Sequence, residues 1–170
     1  MKGTSFFQFS NRSKVSLPFS DKEYEIRIKG LRKIITENNL DAVILTSLHN
    51  IAYYSGFLYC SFGRPYGCVI TPKRNIVVSA NIDAGQPGRR CYGENLIYTD
   101  WEKGNYFKAI ISLVGKPKRI GIENDHLTLE GYRNLKDALH DPEIIDIAPF
   151  TMLQRMIKSE EEITLIKSGA

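Results

Sequence analysis

The sequence predicts an α/β fold: a single domain with a mixed sheet of five or six strands flanked by helices. Three observations carry that expectation. Ala42-Val43-Ile44-Leu45-Thr46 is a short, continuously apolar run, the composition of a strand buried on both faces of a sheet. A segment with a helical apolar period stands directly before it. From about residue 95 onward, strand-like and helix-like segments alternate in the βαβ manner.

Residues 1–19 show no sustained period, and Pro18 opposes a helix crossing into the next segment, so this stretch is expected as an extended arm on its own domain or a neighbour. Ser20-Asp21-Lys22-Glu23 has the pattern of a capping box, in which the serine hydroxyl takes the Glu23 amide proton and Glu23 reaches back to the Ser20 amide. Tyr24, Ile28, Leu31 and Ile35 then form one apolar stripe of a helix ending near Asn38-Asn39. After the buried strand, His49–Tyr54 predicts a short helix stopping at Gly56. Tyr66–Ile70 and Ile76–Ser79, joined by Thr71-Pro72-Lys73-Arg74-Asn75, predict an antiparallel hairpin.

Asn81–Arg90 is polar, and its Gly and Pro residues prevent a long helix. Leu96–Thr99, Arg119–Glu123 and Ile144–Ile147 read as strands. Tyr106, Ile110, Leu113 and Val114 mark one intervening helix, and Leu129, Tyr132, Leu135 and Leu139 another. Met152–Ile157 predicts a short helix. Ser159-Glu160-Glu161-Glu162 is a second capping box, opening a helix in which Ile163 and Ile166 begin to repeat. The domain is expected over 20–157, with 158–170 as the start of a linker helix into a further domain. The alternative is a terminal helix folded back on this domain, with Ser168-Gly169 as its stop.

At 170 residues, a chain buries roughly 70% of the surface its unfolded form exposes, enough for a core of its own. Apolar content of 42% and charged content of 25% are those of a globular protein, and no apolar run approaches the ~18 residues of a membrane span. No secretory h-region follows Met1, so a cytoplasmic location is expected. A net charge of +4, spread among carboxylates, argues against a nucleic-acid partner. Cys60, Cys68 and Cys91 fit neither a disulfide framework nor a zinc pattern and are expected as buried free thiols. Asn11-Arg12-Ser13 matches a glycosylation sequon, which has no meaning in a cytoplasmic chain.

Phosphate-cradle, dinucleotide and zincin motifs are absent from the sequence, as is the nucleophile elbow. His49, His126 and His140 each have a plain place at a helix boundary or on a surface; around His126, Asn124 and Asp125 favour a turn after a strand. Arg64 differs. It lies between Gly63 and Pro65, with Phe62 and Tyr66 close by, and a guanidinium so placed can bind a carboxylate bidentately. The plainer alternative is an exposed arginine in a turn flanked by core aromatics.

Several segments together resemble a known family. They are His49-Asn50-Ile51, Tyr53-Tyr54-Ser55, Phe57–Tyr66, Ser79–Asp83, Gly85-Gln86-Pro87, Arg89-Arg90, Tyr98–Trp101, Arg119–Glu123, Asp125-His126-Leu127 and Arg155–Ser159. From about residue 14 to Ala170 the chain resembles the N-terminal domain of the creatinases, the creatine amidinohydrolases, within the creatinase and proline-peptidase group. The resemblance implies a ribonuclease H-like, non-catalytic half of a two-domain enzyme whose larger "pita-bread" domain carries the catalytic histidine and glutamates. Creatinases use no metal, whereas related Xaa-Pro peptidases hold two metal ions in that larger domain; no cofactor is expected here. In creatinase homodimers the N-terminal domain of one subunit closes over the active site of the other. Phe62 and Arg64 match positions that line this shared site, with Arg64 binding the carboxylate of creatine and Phe62 packing on its body.

The chain departs from the pattern at Gly56 and Gly88, where creatinases commonly carry larger side chains, and the smaller residue is expected to enlarge the site or loosen its wall. Two other readings share the architecture. One is the N-terminal domain of an Xaa-Pro dipeptidase, an aminopeptidase or another small-amide hydrolase. The other is a non-enzymatic dimerisation or peptide-binding module. In every case the isolated 170 residues are expected to be inactive.

Overall fold

A computed structural model describes residues 3–9, 13–59, 63–102 and 104–170. Helix α1 spans Asp21–Glu37 and buries Tyr24, Ile28, Leu31 and Ile35, the stripe that the sequence predicts. Strand β2, Ala42–Leu45, is buried at every position. Helix α2, Leu48–Ser55, starts at Ser47, whose hydroxyl accepts the Asn50 amide proton, and stops at Gly56 in the left-handed region at φ 72°. β3 (Gly67–Ile70) and β4 (Asn75–Ala80) form the expected hairpin, with Gly67 opposite Val78 and Ile70 opposite Asn75.

A 3-10 turn at Asn81–Asp83 leads into the six-residue α3, Gly85–Arg90. β5 (Glu94–Tyr98), α4 (Asn105–Val114), β6 (Arg119–Ile122), α5 (Leu129–Ala138) and β7 (Glu143–Asp146) follow in alternation. The chain continues through α6 (Ala148–Met156) and α7 (Glu160–Gly169).

Among the described residues the sheet has seven strands, not five or six, in the order β1-β5-β4-β3-β2-β6-β7, where β1 is Phe6–Phe7. The additional strand, β1, is Phe6–Phe7 of the N-terminal arm, paired antiparallel to β5. Two residues show no period, so only the pairing reveals them. Asn95 holds the arm further along: its side-chain carbonyl accepts the Phe9 amide proton and its amide donates to the Phe9 carbonyl, both at 3.0 Å. Val15 donates to the Arg89 carbonyl at 3.1 Å.

β4 and β5 are parallel, as are β2, β6 and β7, while β3 runs against both of its neighbours. The carboxyl ends of five strands therefore meet the amino end of β3 along one edge. Helices α1, α2 and α6 pack together, as do α4 and α5. Gly67 faces Tyr106 of α4, whereas Asn75, which accepts the thiol proton of Cys68, donates to the Tyr54 carbonyl of α2. Adjacent residues of a strand point to opposite faces, so the two helix groups cover opposite sides of the sheet.

The first capping box forms only in part. Ser20 Oγ accepts the Glu23 amide proton, but the Ser20 amide donates to Glu161 of α7 at 2.9 Å and the Ser20 hydroxyl donates to the same carboxylate at 2.6 Å. Glu23 instead turns forward to the buried Arg27, 2.8 Å away. Ser159 and Glu162 complete both halves of the second box. Cys68 and Cys91 are buried free thiols, and burial pushes the Cys91 thiol up to about 11; Cys60 and the Asn11 sequon lie outside the described residues.

Candidate functional site

A cleft of about 210 Å³ opens at the carboxyl edge of the sheet, on the α4/α5 face. Ile44, Leu127 and Leu135 supply apolar lining, and Tyr59, Tyr66, Tyr106 and Phe107 the aromatic walls. It adjoins a larger recess of about 570 Å³ that shares Arg64, Pro65, Tyr106 and Phe107 and adds Asp100, Glu102 and Glu130. The carboxyl edge of an open α/β sheet is the usual place for a ligand, because the connecting loops diverge there and leave a crevice.

The Gly63–Tyr66 segment is held from below by tyrosine hydroxyls. Tyr98 donates to the Pro65 carbonyl at 3.0 Å and Tyr106 to the Tyr66 carbonyl at 3.3 Å. Tyr66 itself donates to the Asp83 carboxylate and stacks on Tyr59 with ring centroids 4.0 Å apart. Tyr98 and Tyr106 meet edge to face at 5.6 Å. Burial raises the pKa of all four phenols, that of Tyr59 up to about 12, and the Asp83 hydrogen bond raises Tyr66 further. All four therefore stay protonated and serve as hydrogen-bond donors at neutral pH.

Arg64 stands at the rim, its side chain 40% exposed, with Nε 3.1 Å from Asp100 Oδ2. Phe62, the other residue predicted to line the site, lies outside the described residues. His126 occupies the predicted turn and also lines the cleft, where its Nδ1 is 3.0 Å from the Thr46 hydroxyl. His49 and His140 are exposed and contribute nothing to the cleft lining.

Gly56 and Gly88 do not widen the site. Gly56 is the left-handed stop of α2, where a Cβ would lie 2.6 Å from the Tyr24 hydroxyl. At Gly88 it would lie 2.8 Å from the Phe9 ring, so this glycine admits the N-terminal arm. Their small size serves backbone conformation and close packing away from the cleft.

Sequence reasoning missed Glu123. It ends the β6 run and is 1% exposed, yet its carboxylate accepts hydrogen bonds from the amides of Thr46 and Ser47, the Ser47 hydroxyl and the Asn50 side chain. Two of those donors form the amino end of α2, where the helix dipole favours an anion. The cluster ties the β6 exit to the β2–α2 turn and so fixes one wall of the cleft. An acidic residue directly after an apolar strand was the available signal; which helix end it meets depends on β2 and β6 being neighbours. Among the described residues no group of three or more His, Cys, Asp or Glu side chains could hold a metal ion, and no helix is long and apolar enough to cross a membrane.

Comparison with known proteins places these features in context. Residues 27–157 match a family described as Creatinase/Prolidase N-terminal domain. A creatinase from Bacillus sp. (strain B-0618) is 46% identical over 161 residues, covering 92% of this chain and 39% of that protein. The chain thus spans about two-fifths of the length of the curated relatives it matches. Among solved structures, a proline dipeptidase from Streptococcus pneumoniae TIGR4 aligns with TM-score 0.71 at 19% identity, over 77% of this chain and 98% of that one. An Xaa-Pro dipeptidase from Bacillus anthracis aligns with TM-score 0.71 at 23% identity, over 85% of this chain and 39% of that one. At these identities the two structures establish the fold.

Proposed function

We propose, on the premise that this chain belongs to the creatinase/prolidase N-terminal domain family, that it serves as the non-catalytic N-terminal domain of a creatinase-like hydrolase. The parent reaction is hydrolysis of creatine to sarcosine and urea. The observation that carries this reading is the 46% identity to a Bacillus creatinase across nearly the whole chain. The site is consistent with it. Creatine has a carboxylate and a cationic guanidinium, and a rim guanidinium above an aromatic cleft suits the first while leaving apolar surface for the rest.

In this reading Arg64 binds the substrate carboxylate and Phe62 packs on the body of the molecule. Both act on the active site of the partner subunit in a homodimer. Proton transfer belongs to a histidine of the larger domain, which the helix beginning in 158–170 joins to this one. The protein works in the cytoplasm without nucleic-acid or membrane partners, and this domain holds no cofactor.

Arg64→Ala in the full-length protein tests the assignment. A charged hydrogen bond contributes about 1.5–3 kcal/mol, so kcat/KM for creatine is expected to fall roughly 10- to 100-fold. An unchanged kcat/KM removes the role. The likeness to dipeptidase structures favours one alternative, the same architecture acting on an Xaa-Pro dipeptide, whose carboxylate Arg64 would also suit. Release of proline from such a dipeptide, with no urea from creatine, selects it. Turnover of neither substrate selects a dimerisation or peptide-binding module. Creatine turnover by the purified 170 residues would refute the non-catalytic assignment.

A further inference from the structure

We propose that Asp100 is a positioning residue for Arg64: it occupies the Nε side of the guanidinium and so presents the terminal Nη1–Nη2 edge to an incoming carboxylate. The proposal rests on the reading of Arg64 as the carboxylate-binding residue and names the group that sets its specificity for a planar anion.

The backbone around Arg64 is held by its neighbours. Gly63 is in the left-handed region at φ 79°, Pro65 has a ring-locked φ, and the Pro65 and Tyr66 carbonyls accept hydrogen bonds from Tyr98 and Tyr106. The side chain is a separate matter, because an arginine at a half-open rim keeps several rotatable bonds and much rotamer freedom. Asp100 supplies the missing constraint, with Oδ2 3.1 Å from Nε.

The chain on either side of Asp100 is held in place. The preceding residue, Thr99, donates its amide proton to Ser5 at 2.9 Å, and the Asn105 side chain donates to the Thr99 carbonyl at 3.0 Å. The residue after it, Trp101, donates its indole proton to Thr4 at 2.9 Å. The N-terminal arm and the start of α4 therefore hold the end of β5 from two sides. With the Asp100 carboxylate standing nearest Nε, the edge farther from it and left for bidentate contact is Nη1–Nη2. An exposed ion pair of this kind adds little to fold stability, so its contribution is expected in binding.

A carboxylate next to an anion-binding arginine also has an opposing effect: it repels the substrate and competes for the same cation. The two effects predict opposite results for Asp100→Ala in the full-length enzyme, assayed with creatine. If Asp100 orients Arg64, KM rises about five-fold while kcat changes less than about two-fold. Asp100→Asn, which keeps the size of the side chain but not its charge, does not restore the loss, because the contact with Nε is an ion pair. In an Arg64→Ala background, Asp100→Ala has no further effect, because its target is gone.

A KM for Asp100→Ala that is unchanged or lower overturns the proposal, as does an equal rise in the Arg64→Ala background, which would indicate a structural effect independent of Arg64. If Arg64→Ala impairs creatine turnover and Asp100→Ala does not, this inference alone fails. An Arg64→Ala variant with unaltered kcat/KM removes the parent reading and the role of Asp100 together.

Discussion

Arg27 and Arg64 are both arginines among aromatic rings beside a carboxylate, and they have opposite environments. Arg27 is 2% exposed, with its guanidinium carbon 4.1 Å from the Phe19 ring centroid and 4.2 Å from that of Tyr53. Its Nε pairs with Glu23 and its Nη1 donates to the Tyr53 carbonyl at 3.0 Å. Arg64 has an ion pair on one side and open space on another. The first joins the arm, α1 and α2 into one body, and Glu162 of α7 stands 3.8 Å from its Nη2. The second has donors to spare. Residue type and aromatic company do not distinguish the two; the number of nitrogens held by hydrogen bonds does.

The largest expected effect breaks the structural member of the pair. Arg27→Ala leaves the Glu23 carboxylate buried without a partner and is expected to cost about 3–5 kcal/mol in urea unfolding. Replacing both partners with apolar residues recovers much of that loss, because the desolvated charges disappear together. Arg64→Ala reverses the profile: stability changes by no more than about 0.5 kcal/mol, while the loss appears in kcat/KM for creatine.

An intermediate effect is expected at Ser20, whose hydroxyl caps α1 and donates to Glu161. Ser20→Ala is expected to cost about 1 kcal/mol, read as a lowered Tm. It should also free the first turn of α7, seen as faster amide exchange at Glu162, whose amide is otherwise capped by Ser159.

The smallest effect concerns pH. Desolvation, then the nearby Arg155 charge, lowers the pKa of His49 from its ordinary value of 6.5. A histidine depressed in the folded state takes up its proton more readily when unfolded. Its contribution is therefore complete above pH 6.5 and declines as pH falls below that value. A Tm profile between pH 8 and 5, compared with that of His49→Gln, is expected to differ only at the acidic end.

Much of the architecture was legible from local pattern. The Tyr24, Ile28, Leu31 and Ile35 stripe of α1, the four buried residues of β2, the Gly56 stop and the complete Ser159 box each depend on neighbours within a few residues. The local signal gave way where a distant group competed. Ser20 meets Glu161 because Arg27 claims Glu23, and β1 exists only because β5 offers an open edge. Gly56 and Gly88, expected to enlarge the site or loosen its wall, lie against Tyr24 and Phe9 instead.

The same division runs through the site. The segment ending in Gly63-Arg64-Pro65-Tyr66 is unusual enough in the sequence to single out Arg64 as a cation on an irregular backbone. Its partner Asp100 is 36 positions away, and the tyrosines that hold the loop come from β5 and α4. Glu123 meets the amino end of α2 only because β2 and β6 pair in parallel. Side-chain chemistry and helix or strand period belong to short stretches of chain and are determined by them. Which charges meet, which donors are committed and which remain available depend on strand order, and that was decided only when the sheet assembled.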